Sequence, residues 1–242
     1  MQTINNPTPA ANELFGYAVS ISGTTAVISA PHDDPSGVPD AGTAYVFDTG
    51  TGALLQTLNN LTPAVNDWFG AALALSGTTM FVGAYRDDTA AGTSRAVYIF
   101  DTTSGAPLQT LISPSGIAAD NFGRAVDISG TTAIVGSLGY DEGATVNAGA
   151  AYIYDVAIGN LLQTLVNTDP TAADLFGNAV AISGDFPLVS ALRDDEGATD
   201  TVYVFDLATG NLLQTLNNPA PQNEDYFGET LAATDTSALV SV

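Results

Sequence analysis

The chain has 242 residues, 45% of them hydrophobic, with 26 acidic residues against four arginines and no lysine, for a formal net charge of −22. That balance excludes DNA and RNA, whose phosphates are neutralised by Lys and Arg, disfavours anionic membrane surfaces, and favours cations and cationic ligands. The absence of cysteine excludes disulfide frameworks and thiolate metal sites.

The apolar content is too high for a disordered acidic tail, and the length suits one all-β domain spanning residues 1–242. No run approaches the roughly 18 apolar residues of a membrane helix. The N-terminus has no basic stretch followed by an apolar one, so no signal peptide is expected within this chain and no membrane insertion is expected of it.

In chain order, Met1–Pro7 aligns with Leu55–Leu61, which places the start inside the last strand of a repeat. Phe15-Gly16 then opens a unit that recurs at Phe69-Gly70, Phe122-Gly123, Phe176-Gly177 and Phe227-Gly228, at spacings of 54, 53, 54 and 51 residues. Seven residues after each Phe stands a turn pair, Ser22-Gly23, Ser76-Gly77, Ser129-Gly130 and Ser183-Gly184, with Thr234-Asp235 in the last copy. An aromatic run ending in Asp follows (Tyr45–Asp48, Tyr98–Asp101, Tyr152–Asp155, Tyr203–Asp206), and after it a Leu-Gln-Thr-Leu run.

Each unit predicts four short antiparallel strands separated by turn residues; in the first they are Ala18–Ile21, Ala26–Ala30, Ala44–Phe47 and Leu54–Leu58. Four-stranded units of about 50 residues repeated in series are β-propeller blades, which bury their sheet faces against their neighbours. The fold class is therefore all-β, with four complete blades and parts of a fifth, the chain ending in a second strand. Two readings follow: Met1–Ile4 closes the ring as a last strand, or the chain is a propeller fragment of a longer array, which the missing third strand favours; an edge left exposed at Ala238–Val242 would open a route to a homo-oligomer through the incomplete fifth blade.

The Phe-Gly opening, with a small-residue element after the second strand, resembles the FG-GAP repeat of integrin α-subunits and of bacterial secreted or surface proteins. Its Gly-Ala-Pro half is degenerate here: Ser29-Ala30-Pro31, Gly83-Ala84-Tyr85, Gly136-Ser137-Leu138 and Ser190-Ala191-Leu192. The bacterial versions are therefore the nearer likeness. The integrin calcium loop between strands one and two has no counterpart, since only Ser-Gly and two short residues stand there. The resemblance implies an extracellular or cell-surface location and a binding or adhesion role.

Acids recur in two places. The loop between strands two and three carries Asp33-Asp34, Asp87-Asp88, Asp141-Glu142 and Asp194-Asp195, and the segment between blades carries Glu13, Asp67, Asp120, Asp174 and Asp225, each two residues before its Phe. Propeller topology puts both sets on one face as two acidic rings. One reading makes them solvated turn acids; the other makes the four loop pairs a divalent-cation site, with calcium as the cofactor, because hard cations take carboxylate and carbonyl oxygens. Asp48, Asp101, Asp155 and Asp206, each four residues before a Gly, read as turn formers at the other end of the strands.

Catalysis finds little support. His32 is the one imidazole, it has no counterpart in other units, and Trp68, Arg95, Arg124 and Phe186 form no constellation in the sequence. The leading expectation is a non-enzymatic module that engages a glycan or protein through its acidic loop face. The alternatives are a structural repeat protein assembling through open blade edges, and a polysaccharide hydrolase or lyase, which would need an asymmetric cleft with Arg, His or Tyr.

Overall fold

The computed structural model describes residues 3–88, 94–192, 200–220, 226–234 and 236–242. The chain divides into two compact units, Met1–Ala118 and Ala119–Val242. The first holds blade 1, made of β1 (Val19–Ser22), β2 (Thr25–Ala30), β3 (Thr43–Asp48) and β4 (Leu54–Asn59), and blade 2, made of β5 (Ala72–Ser76), β6 (Thr79–Asp88), β7 (Ser94–Asp101) and β8 (Pro107–Ile112). The second holds blade 3, β9 (Val126–Ser129), β10 (Thr132–Ser137), β11 (Ala150–Asp155) and β12 (Leu161–Leu165), and blade 4, β13 (Val180–Ser183), β14 (Phe186–Ala191), β15 (Thr201–Phe205) and β16 (Leu212–Asn217). A half-blade follows, β17 (Leu231–Thr234) paired with β18 (Ser237–Val240). Every complete blade is a four-stranded antiparallel meander of the β-propeller type.

The repeat signals map onto backbone geometry. Ser22 pairs directly with Thr25, so Gly23-Thr24 is a two-residue hairpin loop, and Gly23, at φ 58°, supplies the left-handed conformation such loops demand. Phe-Gly occupies the centre of a second turn, closed in blade 1 by a hydrogen bond from Tyr17 N to Leu14 O at 3.0 Å. Gly16, Gly70, Gly123, Gly177 and Gly228 have φ between 85° and 95°, the third position of a type II turn.

Phe69, Phe122 and Phe176 are fully buried and lie edge-on or tilted against the aromatic pair of their own third strand, as in Phe69 to Tyr98 and Phe100 at 5.6 and 5.9 Å. The residue before each Phe is also left-handed although none is glycine: Leu14, Trp68, Asn121, Leu175 and Tyr226, at φ 51° to 57°. In blades 2 and 4 the segment carrying it is held by backbone bonds to the preceding blade. In unit 1, Trp68 N and Phe69 N donate to Asp40 O and Ala41 O at 3.1 and 3.0 Å; in unit 2, Leu175 N and Phe176 N donate to Asn147 O and Ala148 O.

The degenerate half of the motif also has a structural cause. Ser29 and Ser190 accept from Ala18 N and Ala179 N through Oγ at 3.0 Å. Gly136 takes the equivalent place in blade 3, where a Cβ would stand 2.1 Å from Gly177 O. Strands two and three are almost wholly buried, whereas the fourth strands alternate and end on one buried leucine: Leu58, Leu111 or Leu165. The same bulge interrupts every pairing of strands three and four, between Val46 and Phe47 in blade 1 and at the matching place in the others.

Within unit 1 the core joins Val46 and Leu58 of blade 1 to Phe69, Met80, Tyr98 and Phe100 of blade 2. Within unit 2 it joins Ile153 and Leu165 of blade 3 to Phe176, Tyr203 and Phe205 of blade 4. Thr3–Asn6 carries no strand pairing, where a fourth strand was expected, but Ile4 still packs beside Phe15, Tyr45 and Phe47.

Candidate functional site

The acids between blades do not form a solvated ring. Glu13, Asp67, Asp120 and Asp174 are all buried, and three of them close the same latch. Asn60 Nδ2 donates to Asp67 Oδ2 at 2.7 Å, Ala64 N donates to the same oxygen at 2.6 Å, and Asn60 Oδ1 accepts from Thr62 N at 3.0 Å. Asn6 with Glu13 and Asn167 with Asp174 repeat the pattern. In blade 3 the asparagine is replaced by Ser113, whose hydroxyl meets that of Ser115 at 2.9 Å. These acids satisfy backbone donors of the chain reversal that leads into each Phe-Gly turn, so burying them serves the fold. Asp225 lies outside the described residues.

The acidic pairs of the strand-two to strand-three loops split into two roles. Asp33 is buried and accepts from Tyr45 Oη at 2.5 Å; Asp87 is buried and accepts from Tyr98 Oη and, at 3.0 Å, from Asn60 Nδ2. Burial first, and then the Asp33 carboxylate, push Tyr45 up to about 12, and burial followed by the Asp87 carboxylate raises Tyr98. Asp34 instead is exposed and caps the loop, its Oδ1 accepting from Asp40 N at 2.8 Å.

Blade 3 corrects the alignment of the pairs. Asp141 Oδ1 accepts from Asn147 N at 2.7 Å, six residues on, which makes Asp141 the counterpart of Asp34. The place of Asp33 is taken by Tyr140, whose ring meets Tyr152 at 6.4 Å, and whose carbonyl accepts from Gly149 N as Asp33 O accepts from Gly42 N. Glu142 exchanges backbone bonds with Thr145 at 3.0 Å in each direction. The side chain of Asp88, together with Asp194 and Asp195, lies outside the described residues.

A hard cation takes about six to eight converging oxygens, yet Asp33 and Asp34 direct their carboxylates to different partners, and among the described residues no group of three or more acids and histidines converges. The turn acids behave as expected: Asp48 Oδ1 accepts from Thr51 N and Oγ1, both at 2.7 Å, and these bonds lower its pKa; Asp101 and Asp206 match it with Ser104 and Thr209.

Asp127 on β9 is different. It accepts from Ile182 N of β13 and from its neighbour Ile128 N, both at 2.8 Å, thereby stapling two first strands, and desolvation raises its pKa. A raised carboxyl favours the fold most at low pH and loses that advantage as pH climbs through the folded-state value.

The repeat symmetry breaks at one place in unit 1. His32 follows β2, its Nδ1 3.3 Å from Asp40 Oδ1, and its ring stacks on Trp68 with centroids 4.6 Å apart. Arg86 lies over Trp68 with Cζ 3.8 Å from the centroid, and Tyr85 meets the indole edge-on at 5.8 Å. Arg95 pins the Arg86 carbonyl through Nη1 at 2.5 Å. Trp68 Nε1 is buried without a hydrogen-bond partner. Beside this stack opens a cleft of about 430 Å³, lined by Glu13, His32, Asp33, Asp34, Tyr45 and Asn59 among others.

Sequence reading missed this group because its members come from the loop after β2, the segment between blades and the ends of β6 and β7, brought together only when the segment before Phe69 docks on blade 1. The asparagine of the latch was missed too, although a signal existed: Asn6, Asn60, Asn167 and Asn218 each precede an interblade acid by seven residues.

The profile of the FG-GAP repeat matches residues 4–47, 62–100, 108–154 and 160–205, each match ending at the last aromatic residue of a third strand. The chain is thus a β-propeller repeat protein, and it belongs to the FG-GAP repeat family. Among solved structures it is similar to hydrazine synthase of Kuenenia stuttgartiensis, with a TM-score of 0.58 and 16% identity over 90% of this chain. The match spans 53% of that protein's chain and shows a shared fold. No curated protein matches the sequence. Among the described residues no helix is long and apolar enough to cross a membrane.

Proposed function

We propose that the protein is a non-enzymatic extracellular binding module that engages a glycan or protein ligand through the loop face of blades 1 and 2. The observation that carries this reading is the stack of His32, Trp68, Arg86 and Tyr85 beside an acid-lined cleft, the place where an otherwise regular repeat becomes individual. A loop that departs from its repeat presents chemistry the scaffold does not require. The cleft carries carboxylates and hydroxyls, which suit sugar hydroxyls or a cationic side chain, and His32 of its lining links it to the stack of Trp68 and Arg86.

The same group supports a second reading, a polysaccharide hydrolase or lyase, because an asymmetric cleft with His, Arg and Tyr is what that chemistry needs. The binding reading is preferred because the groups are already committed to one another. His32 and Arg86 both pack on Trp68, Asp33 is held by Tyr45, and Glu13 is held by Asn6 and Ala10.

A glycan and protein array, probed with and without calcium, tests both. The expected result is a ligand retained by the native protein and released by Arg86→Ser, with no new reducing ends. A ligand held equally by Arg86→Ser overturns the assignment to this face, and product release turns the reading to catalysis. Calcium heats in calorimetry that vanish in Asp34→Asn would add a cation to the site.

A further inference from the structure

Basic side chains are scarce in this chain, four arginines and one histidine against 26 acids, and three of the five meet at one place. His32 stacks on Trp68 at 4.6 Å between ring centroids, Arg86 places Cζ 3.8 Å from the indole centroid, and Arg95 reaches the Arg86 carbonyl through Nη1. The group lies at the junction of blades 1 and 2, wholly within unit 1.

Two of the three have oxygen partners: His32 Nδ1 stands 3.3 Å from Asp40 Oδ1, and Arg95 is engaged with the Arg86 carbonyl. Arg86 differs. Its side chain is exposed, and among the described residues no carboxylate pairs with its guanidinium, in a chain so rich in carboxylates. The indole beneath holds the guanidinium by cation–π attraction, and its planar fork of N–H donors remains open to a ligand. Such a fork matches the two oxygens of a carboxylate.

The neighbouring cleft supplies the complement. Asp34, exposed within it, caps Asp40 N through Oδ1 at 2.8 Å and keeps Oδ2 to accept a hydroxyl; Ser36 and Thr57 of the same lining can donate or accept. His32 belongs both to this lining and to the stack, so the guanidinium and the hydroxyl-binding groups adjoin. An acidic peptide would bring charge upon charge toward a protein of net charge −22, which repels it. A sugar acid brings one carboxylate together with several hydroxyl donors.

We infer that the ligand of this face is a glycan unit bearing one carboxylate, a uronic acid, its carboxylate held by the Arg86 fork and its hydroxyls by Asp34 and the cleft. This chemistry rests on the loop-face reading proposed above and narrows its ligand.

Trp68 is the one tryptophan of the chain, so its emission reports this place alone. A trisaccharide ending in glucuronate, titrated against the whole protein in calcium-free buffer, should shift that emission saturably. The same trisaccharide ending in glucose should bind at least about tenfold more weakly. Arg86→Gln, whose exposed substitution leaves the circular dichroism unchanged, should weaken the acidic sugar by a similar factor, while Arg124→Gln, which removes the same charge from unit 2, should not. Equal binding of the two sugars overturns the carboxylate assignment; if Arg86→Gln still abolishes that binding, the loop-face reading survives. An equal loss in Arg124→Gln overturns the assignment by attributing the effect to bulk charge. So does absence of binding by the acidic sugar, or tighter binding of a hexaglutamate peptide. If a ligand found on the array binds without moving Trp68 emission, the loop-face reading fails as well.

Discussion

The loop between strands two and three solves the same problem differently in blade 1 and in blade 3. In blade 1 the buried Asp33 holds the hydroxyl of Tyr45; in blade 3 a ring, Tyr140, stands at that place and packs edge-on against Tyr152. Both loops keep the outer cap, Asp34 to Asp40 N and Asp141 to Asn147 N, and the bond from a glycine amide that ends the loop. The backbone frame is therefore common, while the buried partner of the tyrosine is interchangeable between a charge and an aromatic ring. A pair of acids adjacent in sequence joins two unrelated jobs.

That contrast can be broken most forcefully at Asp87. Asp87→Ala leaves the Tyr98 hydroxyl and an Asn60 N–H without their buried acceptor and should cost about 2–4 kcal/mol, whereas Asp141→Ala removes an exposed cap and should cost under about 1 kcal/mol. Urea denaturation of the two variants measures both, and equal losses would mean that the inner and outer acids do not differ in role.

A smaller effect of opposite sign is expected at Tyr154. The other complete blades have phenylalanine here, Phe47, Phe100 and Phe205, while the Tyr154 hydroxyl is buried without a partner. Tyr154→Phe should stabilise by about 1 kcal/mol, since an unsatisfied buried hydroxyl disappears; a lower melting temperature would show that the hydroxyl is satisfied in solution.

The finest distinction is one of pH. Tyr45, pushed up to about 12, keeps its proton while the unfolded tyrosine loses its own near 10. Stability is thus flat below about pH 10 and falls as pH rises beyond it. Because burial is the larger cause, Asp33→Asn should lower the Tyr45 titration by less than about one pH unit. Asp141→Asn should leave Tyr152 where it is, and tyrosinate absorbance reads both.

Much of the fold was legible because each blade repeats the same local physics. Positive φ at Gly16 and Gly23, alternation along β4 and continuous burial along β2 and β3 are properties of a few adjacent residues, and they recur in phase. The site was legible only as a location. Matching acids with acids placed Asp141 beside Asp33, when the glycine amides of Gly42 and Gly149 show that the frame runs one residue later. The interblade acids looked solvated because their donors, Asn60 and the amide of Ala64, belong to a chain reversal whose closure is not written in composition. His32, Trp68 and Arg86 meet only through docking of one blade's entry segment on the preceding loop.

The left-handed residue before each Phe-Gly turn has an evolutionary consequence. A non-glycine residue held at φ near 55° costs about 1 kcal/mol, and the turn bond that each carbonyl accepts holds that conformation whatever the side chain. Leucine, tryptophan, asparagine and tyrosine all occupy it here, and Leu14 and Tyr226 are about half exposed there. Mutation at Leu14 or Tyr226 changes what the surface presents without retuning the scaffold beneath. Glycine would relax the turn and erase the display, so a lineage that keeps bulky residues at these addresses keeps its means of diversifying.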